Sequence, residues 1–388
     1  MIEIYGAAHF LVDLACAYLM FSGIYGSENW YLCLLLYNFC AFAMQMPMGI
    51  LADYKNRNAY LAVFGCVLVA AAYVPGTAVT MAVRNGTAGS MMETVGLWSA
   101  GAASVMAGLG NGLFHIGGGL DVLNKSKKSA GMLGFFVAPG ALGIYAGTAL
   151  GNGAVQSGEW PALLLLPAAL GIFWCAKKKN IWQNSGNQPF SLLLDRPVLA
   201  GAWKQAAAAV ICLFFVVVLR SYLGIIQDFP WKESTGAGMV LVCAAAVGKT
   251  AGGFLADIAG FKKTAVFSLA ASGVLYLCSF HPAAGILAVF FWNMTMPLTL
   301  WAVAKLMPNA KGFSFGLLTF ALFLGFCPPY LNISAFTDLF HTPELGLGII
   351  CGISFVLLQG GMYYAGKYLH GAMDSPGNGS FSGADDIH

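Results

Sequence analysis

Apolar runs of roughly 20 residues, the length that crosses a bilayer as a helix, follow one another along nearly the whole chain. We place twelve, roughly at 4–24, 30–52, 59–79, 95–118, 130–151, 160–176, 204–226, 237–257, 264–281, 284–306, 312–332 and 345–368. Charged residues are 9% of the 388, against about 25% in an ordinary soluble domain. That scarcity excludes a soluble enzyme of two or three domains. The net charge of +3 leaves no basic surface for nucleic acid. The 49 glycines suit close helix packing in lipid. Most of the ten cysteines lie in apolar runs, without CxxC or Cys/His metal spacing, and read as small core residues. The expected class is an all-α polytopic membrane protein with twelve transmembrane helices.

The first run begins Met1-Ile2-Glu3, lacks a basic flank and carries His9 and Asp13, so it reads as a retained helix and not a leader. Of the 19 cationic residues, fifteen fall in one set of alternate connections, among them Lys55, Arg57, Lys125, Lys177 and Lys262. Two, Arg84 and Lys232, fall in the other set, and Arg220 and Lys249 lie inside runs. This asymmetry puts both termini in the cytoplasm of a multi-pass protein of the cell membrane and requires an even number of spans. The polar stretch 177–203 reads as a cytoplasmic linker between six-helix bundles at 1–176 and 204–370, and 371–388 as a disordered tail. Asn85-Gly86-Thr87 forms a glycosylation sequon in an outer connection.

The two halves share a string. Gly49-Ile50-Leu51-Ala52-Asp53 ends the second run and Gly253-Phe254-Leu255-Ala256-Asp257 ends the eighth, 204 residues on, each followed by cations. Parallel six-helix repeats point to a secondary transporter with its site between the halves. On these residues the chain resembles the major facilitator superfamily, whose motif G-x-L-A-D-R-x-G-R-K/R is kept here at Gly49, Leu51, Ala52, Asp53 and Arg57. Tyr54 stands where Arg is usual and Asn56 where Gly is usual; Asn tolerates the left-handed turn better than most residues. The resemblance implies two pseudo-symmetric six-helix bundles and a gating role for Asp53 and Asp257, with Gly49, Arg57 and Gly253 beside them. Three further strings, His9–Asp13, Gly108–His115 and Gly134–Gly143, resemble the fosmidomycin-resistance-like branch. That implies export of a small anionic or amphipathic compound against proton entry.

Ionisable groups inside spans are costly and usually functional. His9 and Asp13 lie roughly 8 and 14 Å from the cytoplasmic end of the first span, His115 and Asn111 about 9 and 15 Å deep in the fourth. Each pair has i, i+4 spacing and so one helix face. If the two helices adjoin, the four residues form one polar cluster. Buried carboxyl groups exchange protons and histidines change charge near neutrality, so Asp13, His9 and His115 are the candidate proton carriers. The plainer alternative is a hydrogen-bonded network that only holds helices together. Arg220 and Lys249 give deep positive charge that favours an anionic solute, the plainer alternative being structural ion pairs. Asn111, Asn293 and Tyr18 are further candidate solute contacts. Pro139, Gly140, Pro328 and Pro329 are expected to bend the fifth and eleventh spans.

The expected function is proton-coupled alternating access by a monomeric carrier of a small anionic or amphipathic compound. It needs no cofactor beyond the proton gradient and has no partner but solute and bilayer. His9, Asp13 and His115 are also acceptable transition-metal ligands, so a metal exporter of the same fold is the alternative, with the two deep cations weighing against it. No HExxH, GxSxG or P-loop string supports an enzyme.

Overall fold

The computed structural model describes residues 1–25, 27, 29–77, 90–126, 129–152, 158–178, 202–234, 236–333 and 342–373. The proposed linker, tail and sequon lie almost wholly or wholly outside them. The described chain is helical. In order the helices are α1 (Ile2–Ser22), α2 (Trp30–Lys55), α3 (Asn58–Thr77), α4 (Ser90–Lys125), α5 (Ala130–Asn152), α6 (Trp160–Lys178), α7 (Ala202–Ile226), α8 (Ala237–Ala259), α9 (Phe261–Leu277), α10 (Pro282–Leu306), α11 (Lys311–Tyr330) and α12 (Pro343–Met373). Each expected run has its helix. Ten are long and apolar enough to cross a membrane. Their outward faces carry bare aliphatic and aromatic side chains such as Leu163, Leu170, Trp174, Ile258 and Val356, a surface suited to lipid rather than water. The chain is a multi-pass membrane protein.

The termini of the helices follow from local sequence. Asn56 ends α2 in the left-handed conformation at φ 51°, as its short polar side chain permits. Gly260 ends α8 at φ 94°. These two positions stand 204 residues apart, the offset of the GxLAD strings, so the repeat includes a turn position that two different residue types fill. Pro282 opens α10 at its first turn, where a missing N–H costs nothing.

Two expectations about bends change. Pro328 and Pro329 sit in the last turn of α11, where they close the helix instead of bending its middle. Pro139 does lie inside α5, and Pro167 lies likewise inside α6; proline there removes a backbone hydrogen bond. The other irregularities are π segments at Leu19–Ile24 in α1 and Phe39–Ala43 in α2 and a break in α10 at Met294. Pro297 follows the break at Met294 and Pro47 follows the π segment of α2, each lacking the amide that would bond back to Asn293 or Ala43, whereas the π segment of α1 has no such proline.

The chain divides into two compact units, Met1–Asn124 with Phe136–Gln188, and Lys125–Phe135 with Pro189–His388. The opening of α5 thus groups with the second unit. In the first unit α3 and α1 pack on α6. Gly65 of α3 and Gly110 of α4 meet where a Cβ on either would strike the other helix's backbone, which brings those two helices together closely. In the second unit α7 packs on α11 and α12, α9 on α10 and α12, and α8 on α10. All ten cysteines are free thiols, with Cys16, Cys33, Cys40, Cys66 and Cys351 buried.

Candidate functional site

Three helices of the first unit meet at one polar cluster. His9 and Asp13 come from α1, Asn111 and His115 from α4, and the Phe136 carbonyl from α5. His9, Asp13 and Asn111 are buried, and His115 is nearly so. The i, i+4 spacing read from the sequence places each pair on one face, and the two faces oppose each other. His9 Nε2 lies 3.1 Å from Asp13 Oδ2 and His115 Nε2 lies 3.9 Å from Asp13 Oδ1. The Asn111 amide donates to Asp13 Oδ1 at 2.8 Å. The rings of His9 and His115 stand edge to face with centroids 4.4 Å apart, and their Nε2 atoms approach to 2.8 Å.

The outer nitrogens fix the tautomers. His9 Nδ1 lies 2.7 Å from the Phe136 carbonyl oxygen, and His115 Nδ1 lies 2.9 Å from the Asn111 carbonyl oxygen. A carbonyl oxygen only accepts, so each Nδ1 carries a proton. In two neutral imidazoles both Nε2 atoms would then present lone pairs to each other at hydrogen-bond distance. A hydrogen bond across this contact would use one proton shared by the two rings, and the pair beside the Asp13 carboxylate would then make the cluster neutral. Without that proton two lone pairs would face each other next to a carboxylate.

Gly140 of α5 makes room for this arrangement. A Cβ there would collide with His9 Nε2 and Asp13 Oδ2. The sequence suggests a bend at Gly140; its place in the structure is against the cluster. The Asn111 Oδ1 atom is buried without a hydrogen-bond partner among the described residues, leaving one acceptor beside Asp13 unused. Toward the end of α4, Asp121 is buried and accepts from Tyr5 Oη at 2.8 Å and Asn58 Nδ2 at 3.2 Å. The fourth apolar run is placed at 95–118, whereas α4 continues past Asp121 to Lys125.

In the second unit Arg220 of α7 is buried, and its Nη1 donates to Thr299 Oγ1 of α10 at 3.2 Å. Among the described residues no carboxylate lies within salt-bridge distance of it. Thr299 follows the break of α10 at Met294 by just over one turn, and interrupted helices are where carriers place solute contacts. Trp292, before the break, holds its indole Nε1 buried with no partner among the described residues. Thr299 carries no charge and fits an apolar run, so nothing in the sequence distinguished it. Asn293 donates to the Val289 carbonyl of its own helix at 2.9 Å, and Tyr18 in the first unit accepts from the Gly158 amide at 3.1 Å and stacks edge-on with Trp160. Each thus has a local partner. Lys249 is half-buried on α8.

Asp257 caps a helix. Its carboxylate accepts from Ser129 Oγ at 2.6 Å, Ala130 N at 2.7 Å and Gly131 N at 2.9 Å, satisfying free amides at the start of α5 where negative charge is favoured. Gly253, one turn earlier, lets α8 approach: a Cβ there would strike the Ala130 carbonyl. Asp53 and Gly49 occupy the equivalent last turns of α2, with Arg57 just beyond it and its guanidinium 6.0 Å from the Tyr60 ring centre.

A scan against protein-family models and a search of curated proteins find no match. Solved structures do match. The E. coli fucose:proton symporter is similar over 92% of this chain and 97% of its own, at 14% identity and TM-score 0.63. The human organic anion transporter TETRAN is similar over 92% and 98%, at 14% identity and TM-score 0.62. A bacterial homologue of the iron transporter ferroportin, in an outward-facing state with soaked iron, is similar over 96% and 99%, at 13% identity and TM-score 0.59. The fold is that of major facilitator transporters.

Proposed function

We propose that this chain is a secondary transporter that couples movement of a small organic anion to movement of a proton, by alternating access. The observation that carries this reading is the 2.8 Å approach of His9 Nε2 to His115 Nε2 beside Asp13. One proton holds α1 and α4 together at that point, so taking up or releasing it changes which packing of the two helices is favoured. A carrier needs that link between a protonation state and a conformation. In this reading the histidine pair holds the proton and Asp13 supplies the fixed negative charge that keeps it there.

Arg220 is the group proposed to meet the anion. Its guanidinium keeps its charge, is buried, and spends one described hydrogen bond on a neutral hydroxyl. A carboxylate, phosphate or phosphonate would take the remaining donors as a fork. Proteins of similar fold include a fucose:proton symporter and an organic anion transporter, which supports both halves of the proposal. Export is the direction implied by the three strings that resemble the fosmidomycin-resistance-like branch. Asp257, and by the repeat Asp53, would latch the cytoplasmic side by capping a helix start.

The test is flux in proteoliposomes. A panel of carboxylates and phosphonates is screened by counterflow of the labelled compound, and a compound carried by the wild type is then followed in Arg220→Ala. A loss of at least tenfold in apparent affinity supports the anion site. Unchanged affinity would sink it.

A further inference from the structure

We infer that the His9, Asp13 and His115 cluster is also a binding site for a divalent first-row transition-metal ion, held where the shared proton otherwise sits. His9 Nε2, His115 Nε2 and an Asp13 carboxylate oxygen all lie within 4.8 Å of one another. Both imidazoles turn Nε2 inward and anchor Nδ1 on a backbone carbonyl, the support that orients metal-binding histidines and fixes their tautomer. Asn111 braces the carboxylate through Nδ2, the outer contact a ligating Asp needs.

The spacing fits with small adjustment. Ligand atoms about 2.0–2.2 Å from a tetrahedral ion stand roughly 3.3 Å apart. His9 Nε2 lies 3.1 Å from Asp13 Oδ2 and 2.8 Å from His115 Nε2, so each of these opens by a few tenths of an ångström, while His115, whose near carboxylate oxygen is Oδ1 at 3.9 Å, closes on the ligating oxygen from within the 4.8 Å that spans the three donors. An ion repels neither imidazole, so the close Nε2 pair no longer needs a proton.

One observation points independently to an occupant. Asn111 Oδ1 is a buried acceptor with no partner among the described residues, and it belongs to the amide already bonded to Asp13, so it is available as a fourth ligand. Two imidazoles, one carboxylate and an amide oxygen are a donor set for zinc, cobalt or iron(II) and a poor one for calcium or magnesium, which prefer oxygen alone. The exchange balances: the metal dication enters the neutral cluster, one proton leaves the histidine pair, and the metal-bound cluster carries one positive charge.

Cobalt(II) is the probe, because a four-coordinate nitrogen and oxygen site gives visible d–d bands. Purified full-length protein in detergent is titrated with cobalt(II) and read by absorbance. The inference predicts saturation at one ion per chain with visible bands and no thiolate charge-transfer band. His115→Ala should abolish the bands and weaken binding at least tenfold. Asn111→Asp, which adds a charged oxygen, should tighten it at least tenfold, a gain that misfolding cannot imitate. Absence of saturable binding to the wild type would overturn the inference, as would bands that survive removal of both histidines or that carry thiolate character from Cys16. Cobalt binding without solute-driven proton movement in liposomes would uphold the metal site while removing the coupling function proposed above.

Discussion

A histidine pair with both outer nitrogens tied to carbonyls has little freedom in how it holds protons, and this makes single residues of the cluster testable. Gly140→Ala places a methyl group against His9 Nε2 and Asp13 Oδ2. These are side-chain ends, but His9 is pinned at Phe136 and Asp13 at Asn111, so relief comes from breaking the cluster. The expected outcome is a stability loss of about 1–3 kcal/mol in thermal unfolding, with flux reduced far more than the small melting shift explains. Arg220→Lys should fail to restore the affinity lost in Arg220→Ala, because an ammonium lacks the planar fork; binding titrations with the carried anion check this. The four cluster residues were legible in the sequence because charge inside a span is rare and helical spacing gives their depth. The shared proton was not, since it depends on ring orientation and on carbonyls that no side-chain pattern reveals. Thr299 was missed for the same reason that it fits its helix: it carries no charge.

At the scale of elements, the strings read in the sequence prove to be meeting points. His9–Asp13, Gly108–His115 and Gly134–Gly143 lie on α1, α4 and α5, and all three contribute to one cluster. The GxLAD repeat marks helix ends, and its 204-residue offset carries on to the turn positions Asn56 and Gly260. Asn56→Gly should be neutral or slightly stabilising, while Asn56→Val should cost about 1–2 kcal/mol, measured by thermal unfolding in detergent. Asp257→Ala removes the acceptor for two backbone amides and a hydroxyl at the start of α5. Loss of such a cap costs about 0.5–2 kcal/mol, and hydrogen exchange at Ala130 and Gly131 should rise accordingly. Proline was a guide to bends only when read with its offset. Pro328 and Pro329 only close α11, whereas Pro47 and Pro297 mark the π segment of α2 and the break at Met294 about one turn before them. The π segment of α1 has no proline to mark it.

For the whole molecule, the shortage of charge is what made the fold readable: uninterrupted apolar runs give helices with few competing arrangements, and each of the twelve runs is a helix. The same shortage gives orientation. The excess of Lys and Arg in alternate connections predicts that a cysteine replacing Lys263 reacts with an impermeant reagent only from the cytoplasmic side, and one replacing Lys232 only from outside, in a background whose native cysteines are replaced by serine. The reverse pattern would invert the topology. The central claim is that the His9, Asp13 and His115 cluster links solute movement to a proton. The most direct measurement is the internal pH of proteoliposomes, read by an enclosed dye, when a gradient of a carried anion is imposed without any pH gradient. The account predicts a pH change in wild-type vesicles that disappears in Asp13→Asn and in the His9→Ala/His115→Ala double variant, while counterflow of the labelled anion continues in Asp13→Asn. A pH change of wild-type rate and size in both variants would contradict it.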